Sequence, residues 1–174
     1  MDFLNPQKLI YEIGLRPGDR VADFGSGSGI LTVFMAQAVA KSGEVSAVDV
    51  QSRALEILES RAEILDLHNI KTIHADLEKD RGSGLADESQ DTVILANILF
   101  QSEKKENIIR EAKRVLKARG KLVVVDWNPH PKNFFMPKDN RVFSSEEIID
   151  LVNQDPEREL KQAGDFYFGL VFRK

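Results

Sequence analysis

The chain contains no cysteine. That absence excludes a disulfide framework, thiolate metal ligands, a cysteine nucleophile and thiol redox chemistry. It has no long apolar run either. The longest, Val93 to Phe100, is interrupted by Asn97 and falls far short of the ~20 residues that span a bilayer. Positive charge is not in excess: the formal net charge is −4, which disfavours general nucleic-acid binding. Met1-Asp2-Phe3-Leu4-Asn5-Pro6 has no basic segment followed by an apolar run, which reads against a secretory leader. A cytoplasmic protein without membrane contact is expected. Ordinary globular composition is what is present, 42% hydrophobic and 30% charged over 174 residues. That is enough for one substantial core, so a single domain over 1–174 is expected, with an N-terminal helix in 1–14 and the core in 15–174.

Asn5 as N-cap, Pro6 as first helical residue and Gly14 past the end frame a short helix carrying Leu9, Ile10 and Ile13. After the Arg16-Pro17-Gly18-Asp19 turn, strand-like and helical segments alternate. Strands are predicted at Arg20–Phe24, Glu44–Val50, Ile70–His74, Asp91–Ala96, Lys121–Asp126 and Phe166–Phe172. Helices are predicted from Ile30 to Lys41, Ser52 to Leu67 and Glu103 to Leu116. Another runs from the Ser144/Glu147 capping box to about Asn153. Such alternation implies crossovers, hence an α/β fold with a mainly parallel sheet and helices on both faces. Glu78–Gln90 and Trp127–Phe143 lack periodicity and read as functional loops.

The sharpest motif is Val21-Ala22-Asp23-Phe24-Gly25-Ser26-Gly27-Ser28-Gly29, at a strand-to-helix junction. Glycines there let the backbone pass close to a ligand. A dinucleotide turn would need glycine where Ile30 stands, and Asp23 would repel a pyrophosphate. The turn therefore suits a positively charged nucleoside ligand. Asp49 follows at the spacing of a ribose-binding acid.

With these residues in order, the chain resembles the class I S-adenosylmethionine-dependent methyltransferases, with the flavour of the ubiquinone and menaquinone biosynthesis type. Their V-x-D-x-G-x-G-x-G motif matches Val21 to Gly29, and their second-strand acid matches Asp49. The acid after their third strand matches Asp76, and their fourth strand matches Asp91 to Asn97. Their R-x-L-K-P-G-G segment is matched imperfectly by Arg114-Val115-Leu116-Lys117-Ala118-Arg119-Gly120. The resemblance implies a Rossmann-like, doubly wound, three-layer fold with seven strands, the last antiparallel. It also implies S-adenosylmethionine as cofactor. Asp23 would help position the methionine amino group, and Gly25 and Gly27 would allow close approach. Asp49 would hold the ribose, Asp76 the adenine amino group with the Leu77 backbone nearby. Asn97 would lie near the methionine portion.

The implied reaction is an in-line methyl transfer to a small-molecule O, N or C nucleophile, in which near-attack positioning supplies roughly 7–11 kcal/mol. A hydroxyl or carbon acid would need a base, for which His130 and Asp126 are the candidates after the fifth strand. Apolar walls are expected from Tyr11, Phe100, Trp127, Phe134, Phe135 and Met136. His74 reads as structural and His68 as a surface residue. The three histidines are scattered and suggest no metal site. Glu103 to Lys121 holds eight Lys/Arg and three Glu, which reads as a solvated helix face.

Other readings stay open. An RNA or protein methyltransferase is disfavoured by the absence of a D/N/S-P-P-Y/F/W segment after the fourth strand, where Asn97-Ile98-Leu99-Phe100 stands. Arsenite methylation, which uses cysteine thiolates in that family, is disfavoured by their absence. A nicotinamide-dependent oxidoreductase lacks its third glycine, and a non-catalytic nucleoside-binding module would keep the same fold. The absence of a large insertion implies an open cleft, or one closed by a loop, the N-terminal helix or a second copy in a homodimer.

Overall fold

The computed structural model describes residues 4–129 and 143–174. Helix α1, Pro6–Ile13, starts where the Asn5 side chain accepts from the Lys8 N–H at 3.0 Å and ends at Gly14 with φ 72°. It buries Leu9, Ile10 and Ile13 and leaves Tyr11 88% exposed, so the expected Tyr11 wall is absent. At 100° per residue, Tyr11 falls on the solvent side of that helix.

Strands β1 (Arg20–Phe24), β2 (Glu44–Asp49), β3 (Ile70–His74), β4 (Gln90–Ala96) and β5 (Leu116–Trp127) are mutually parallel. Strand β7 (Tyr167–Arg173) lies antiparallel between β5 and β6 (Arg158–Glu159). The order across the sheet is β3-β2-β1-β4-β5-β7-β6. This is the seven-stranded sheet with an antiparallel last strand that the resemblance implies. The six longer strands are those read from periodicity. β6 has only two residues, both exposed, too few to show a period. β5 begins five residues earlier than its apolar run, because α4 (Lys105–Val115) passes into extended backbone at Leu116.

Period-two alternation decides which helix covers which face. Val21, Val45, Ile94, Val123, Val125 and Val171 share one apolar cluster with α1 and with Met35, Ala36 and Val39 of α2 (Ile30–Val39). α3 (Ser52–Ile64) joins that side through Leu58, which packs with Ala47 of β2. The intervening residues, among them Phe24, Val93, Leu95, Val124 and Phe172, pack on α4 and on α5 (Ser145–Val152). The result is three layers. α5 carries the expected capping box, with the Glu147 N–H donating to Ser144 Oγ at 3.2 Å and the Ser144 N–H to Glu147 Oε2 at 2.8 Å.

Because β1 stands between β2 and β4, chain direction across the sheet reverses at β1/β4, and the carboxyl ends there open a crevice. The Glu78–Gln90 stretch is an anchored turn system. Asn107 Nδ2 donates to the Glu78 carbonyl at 2.7 Å, and Ser83 N–H to the buried Glu111 at 3.0 Å. The basic α4 segment is less solvated than charge alone predicts. Arg114 binds Glu111, Asp87 and the Leu85 carbonyl, and Lys113 Nζ donates to the Val152 carbonyl at 2.6 Å. No helix among the described residues is long and apolar enough to cross a membrane.

Candidate functional site

The turn after β1 turns on three glycines with positive φ. A Cβ on Gly29 would stand 2.2 Å from Leu58 Cδ1, and one on Gly25 would stand 2.6 Å from Ile98 Cδ1. These two glycines are needed for packing. Gly27 is different: a Cβ there would meet nothing within 4 Å among the described residues.

Asp49, at the end of β2, faces that turn. Its Oδ2 accepts the Gly27 N–H at 2.8 Å and its Oδ1 the Gln51 N–H at 2.8 Å. One carboxylate therefore fixes both the turn and the start of α3, and each oxygen keeps a free lone pair. Asp76, after β3, accepts the Glu78 N–H at 3.0 Å and has Lys79 Nζ 3.6 Å away. Leu77 beside it is buried. Asn97, after β4, has φ 55°, and its N–H donates to the Val125 carbonyl at 2.8 Å.

Two clefts meet at this edge of the sheet. The first, about 460 Å³, unites Gly25, Gly27, Asp49, Asp76, Leu77 and Asn97. The second, also about 460 Å³, adds Asp23, Ser26 and Tyr167 and shares Gly25, Gly27 and Asn97 with the first. All seven residues expected around a cofactor thus line these two neighbouring clefts, which share the glycine turn and Asn97. No lysine or arginine lines either cleft among the described residues, whereas Asp23, Asp49, Asp76 and Glu78 do. Ser26 Oγ and Asn97 Oδ1 are buried without a hydrogen-bond partner among the described residues. Open space at Gly27, unfilled acceptors and four carboxylates with Lys79 as the one cation paired to them among the described residues fit a cationic nucleoside and disfavour a pyrophosphate.

Asp23 is 2% exposed, and its Oδ2 accepts from the Thr32 hydroxyl at 2.6 Å. Burial pushes its carboxyl up to about 6; the Thr32 hydrogen bond opposes the rise and the Asp49 charge adds to it. Asp126 is placed apart. It is 3% exposed, lines neither cleft, and its Oδ1 accepts the Trp127 N–H at 2.8 Å. Burial pushes it, too, up to about 6, against the Trp127, Phe100 and Leu99 N–H groups. Burial and the Asp126 charge together raise the hydroxyl of Tyr167, whose ring lies 4.5 Å from that of Trp127 and which lines the second cleft. His130 and the Phe134-Phe135-Met136 wall lie outside the described residues. His74 Nε2 is 2.9 Å from the Val50 carbonyl, and His68 is exposed beside Asp66. Among the described residues, no three His, Cys, Asp or Glu are grouped to hold a metal ion.

Val50 and Gln51, Ile98 and Gln101, and Ser102 line the first cleft although no motif marked them. Val50 and Gln51 follow Asp49 directly, so their nearness could be inferred from the strand end. Gln101 enters through the 3₁₀ turn Leu99–Gln101, where its Nε2 donates to the Asn97 carbonyl at 2.8 Å; an apolar run gives no sign of that turn.

Comparison with known proteins gives the family and the fold. The family described as a methyltransferase domain matches residues 15–164. A ubiquinone/menaquinone biosynthesis C-methyltransferase, UbiE, of Azotobacter vinelandii is 33% identical over 128 residues, 72% of this chain and 48% of that protein. An arsenite methyltransferase of Aquipseudomonas alcaligenes is 34% identical over 116 residues, 64% of this chain and 34% of that protein. The chain thus spans about half the length, or less, of these curated relatives. A crystal structure of an S-adenosylmethionine-dependent methyltransferase from Aquifex aeolicus superposes with a TM-score of 0.87 at 24% identity, covering 98% of this chain and 90% of that one. An arsenic(III) S-adenosylmethionine methyltransferase from Chlamydomonas reinhardtii superposes with a TM-score of 0.70 at 26% identity, covering 90% of this chain and 63% of that one.

Proposed function

The chain belongs to the class I S-adenosylmethionine-dependent methyltransferases, and from that membership we propose that it transfers a methyl group to a small-molecule nucleophile in the cytoplasm. The observation that carries the proposal is the crevice at the β1/β4 switch point, lined by carboxylates and by no cation among the described residues. When bound, S-adenosylmethionine supplies a methyl group already activated on a positively charged sulfur.

The residues divide the work by position. Asp49 holds the ribose through the lone pairs left free by Gly27 and Gln51. Asp76 accepts from the adenine amino group, and Leu77 supplies an apolar contact beside it. Gly27 leaves room for close approach. Asp23 and Asn97 face the amino-acid end, where a cation favours the ionised form of Asp23. The chain's main catalytic contribution is then to hold acceptor and methyl group together and to exclude water.

The acceptor enters by the second cleft, whose wall includes Leu4, Ile30, Leu31 and Tyr167 and favours an apolar or ring-bearing molecule. The quinone-biosynthetic name of the Azotobacter vinelandii relative supports such an acceptor. Arsenite is a poorer candidate, because this chain offers no thiolate to hold it. His130 and Asp126 are the proposed proton acceptors for a hydroxyl or carbon-acid substrate. Asp126, near 6, has a suitable affinity for the proton, and its charge acts on the hydroxyl of Tyr167, which lines the second cleft.

A thermal-shift titration tests the cofactor assignment. S-adenosylmethionine and S-adenosylhomocysteine should each stabilise the protein, by about 2.7 kcal/mol at 100 times the dissociation constant, and NAD should not. No shift with either of the first two, or a shift with NAD alone, would overturn it.

A further inference from the structure

The opposite edge of the sheet carries a different kind of cleft. It is about 220 Å³ and is lined by Arg16, Lys117, Arg119, Lys121 and Arg173, with Asp19 and Asp91 as the acids among the described residues. It sits at the amino ends of β1, β4 and β5, where Thr92 pairs with Val21 and with Lys121. Thr92 and Asn97 are five residues apart along β4, so roughly 16 Å separates this cleft from the crevice described above.

The charges here do not balance. Lys117 is paired with Asp91 Oδ1 at 2.8 Å, and Asp91 Oδ2 accepts the Arg20 N–H at 2.9 Å. Arg173 is held by Glu157 through two bonds of 3.0 and 3.1 Å. Asp19 Oδ2 accepts the Arg16 N–H at 2.9 Å. Among the described residues, the guanidinium groups of Arg16 and Arg119 and the ammonium group of Lys121 have no carboxylate partner. Lys121 Nζ donates only to the Ile13 and Gly14 carbonyls at the end of α1, at 3.1 and 3.0 Å. Burial lowers its proton affinity; Asp19 offsets part of this, and Arg173, Arg158 and Arg16 repel it further.

A feature independent of the charges points the same way. Thr92, fully buried, lines the cleft with a hydroxyl that has no hydrogen-bond partner among the described residues. Arg119 is held at φ 64°, a left-handed conformation that costs a non-glycine residue roughly 1–2 kcal/mol.

We propose that this cleft binds a single phosphoryl group through Arg16, Arg119 and Lys121, with the Thr92 hydroxyl as a further donor. Guanidinium forks match phosphate oxygens two at a time. The volume lies below the roughly 300–1,000 Å³ of pockets that enclose whole drug-sized ligands, so the group is held while any organic remainder stays outside. Asp19 and Asp91 beside the cations, and the net charge of −4, oppose a nucleic-acid backbone. The site is independent of the methyl-transfer reading.

Calorimetric titration at constant ionic strength in chloride tests it, using inorganic phosphate and glycerol 3-phosphate on the wild type and on Arg16→Gln/Arg119→Gln. Those two side chains have no partner among the described residues, so the variant should melt as the wild type does. The expected result is 1:1 saturation, at least about tenfold weaker in the double variant, with S-adenosylhomocysteine affinity unchanged. Tighter binding of glycerol 3-phosphate identifies an organic phosphomonoester, and tighter binding of inorganic phosphate the free ion. Heat that follows ionic strength alone would overturn the proposal. So would equal affinity in the variant, phosphate competing with S-adenosylhomocysteine, or a short RNA binding more tightly than either ligand.

Discussion

The Gly27 N–H donates to Asp49 Oδ2 at 2.8 Å, tying the glycine turn after β1 to the end of β2. The proposed ribose-binding carboxylate is therefore also a structural one. Asp49→Asn keeps the volume but replaces one acceptor oxygen by a donor facing an N–H group. It should cost about 1–3 kcal/mol of stability and weaken S-adenosylhomocysteine binding by more than about tenfold. Urea unfolding and calorimetry separate the two effects. Lost stability with unchanged affinity would leave Asp49 a purely structural role.

Gly27 and Gly29 should respond in opposite ways to alanine. Gly27→Ala adds a methyl group into open space at φ 52°, so its folding cost is limited to about 1–2 kcal/mol, while the cofactor loses room. Gly29→Ala collides with Leu58 and should destabilise the fold more strongly. Thermal melts beside binding isotherms check the contrast. Undiminished cofactor binding by a folded Gly27→Ala protein would count against the close approach.

Asp23 gives a pH signature. Its carboxyl lies at about 6 in the folded chain against an ordinary 3.8. The unfolded chain releases this proton first, so stability falls as pH rises from about 4 to 6, by about 3 kcal/mol in all. Asp23→Asn retains an acceptor for Thr32 and should remove that loss, exceeding the wild type in stability above pH 6.5. Urea midpoints between pH 4 and 8 decide this; parallel profiles for both proteins would contradict the assignment.

The Arg114–Glu111 pair should prove the strongest of the electrostatic contacts outside the crevice. Glu111 is 3% exposed and also holds Ser83. Arg114→Leu strands a buried carboxylate and should cost about 3–5 kcal/mol in chemical denaturation. A loss under 1 kcal/mol would show that Glu111 is readily solvated.

Arg119 stands where the family's signature has a glycine. Arg119→Gly should relieve the left-handed strain and, after the added chain entropy, raise stability by about 0.5–1 kcal/mol. Denaturation midpoints would show it, and a destabilised variant would mean that the Arg119 side chain contributes more to folding than its backbone costs.

What was legible in the sequence follows from range. The caps at Asn5 and Ser144 are local, and both form as their residue types predict. The continuous apolar runs Val93–Ala96 and Leu122–Val125 mark β4 and β5 as strands buried on both faces, which is why they read as central strands. The positions of Asp23, Asp49, Asp76 and Asn97 at strand ends follow once the strands are placed. Long-range consequences were not legible. Asp49 reaches a backbone N–H 22 residues away, and Ile98 fills the space a side chain at Gly25 would need. The two-residue β6 exists because β7 offers it an edge, not through any pattern of its own. Asp126 reads from sequence as an available base. Its burial beneath the 3₁₀ turn after β4 depends on packing that the sequence order alone does not reveal.

A crystal structure of the complex with S-adenosylhomocysteine decides where the cofactor sits. The nucleoside should lie across Gly27, its ribose hydroxyls hydrogen-bonded to Asp49, its adenine amino group at Asp76 and its amino-acid end toward Asp23 and Asn97. A ligand seated elsewhere, or a ribose without contact to Asp49, would contradict it.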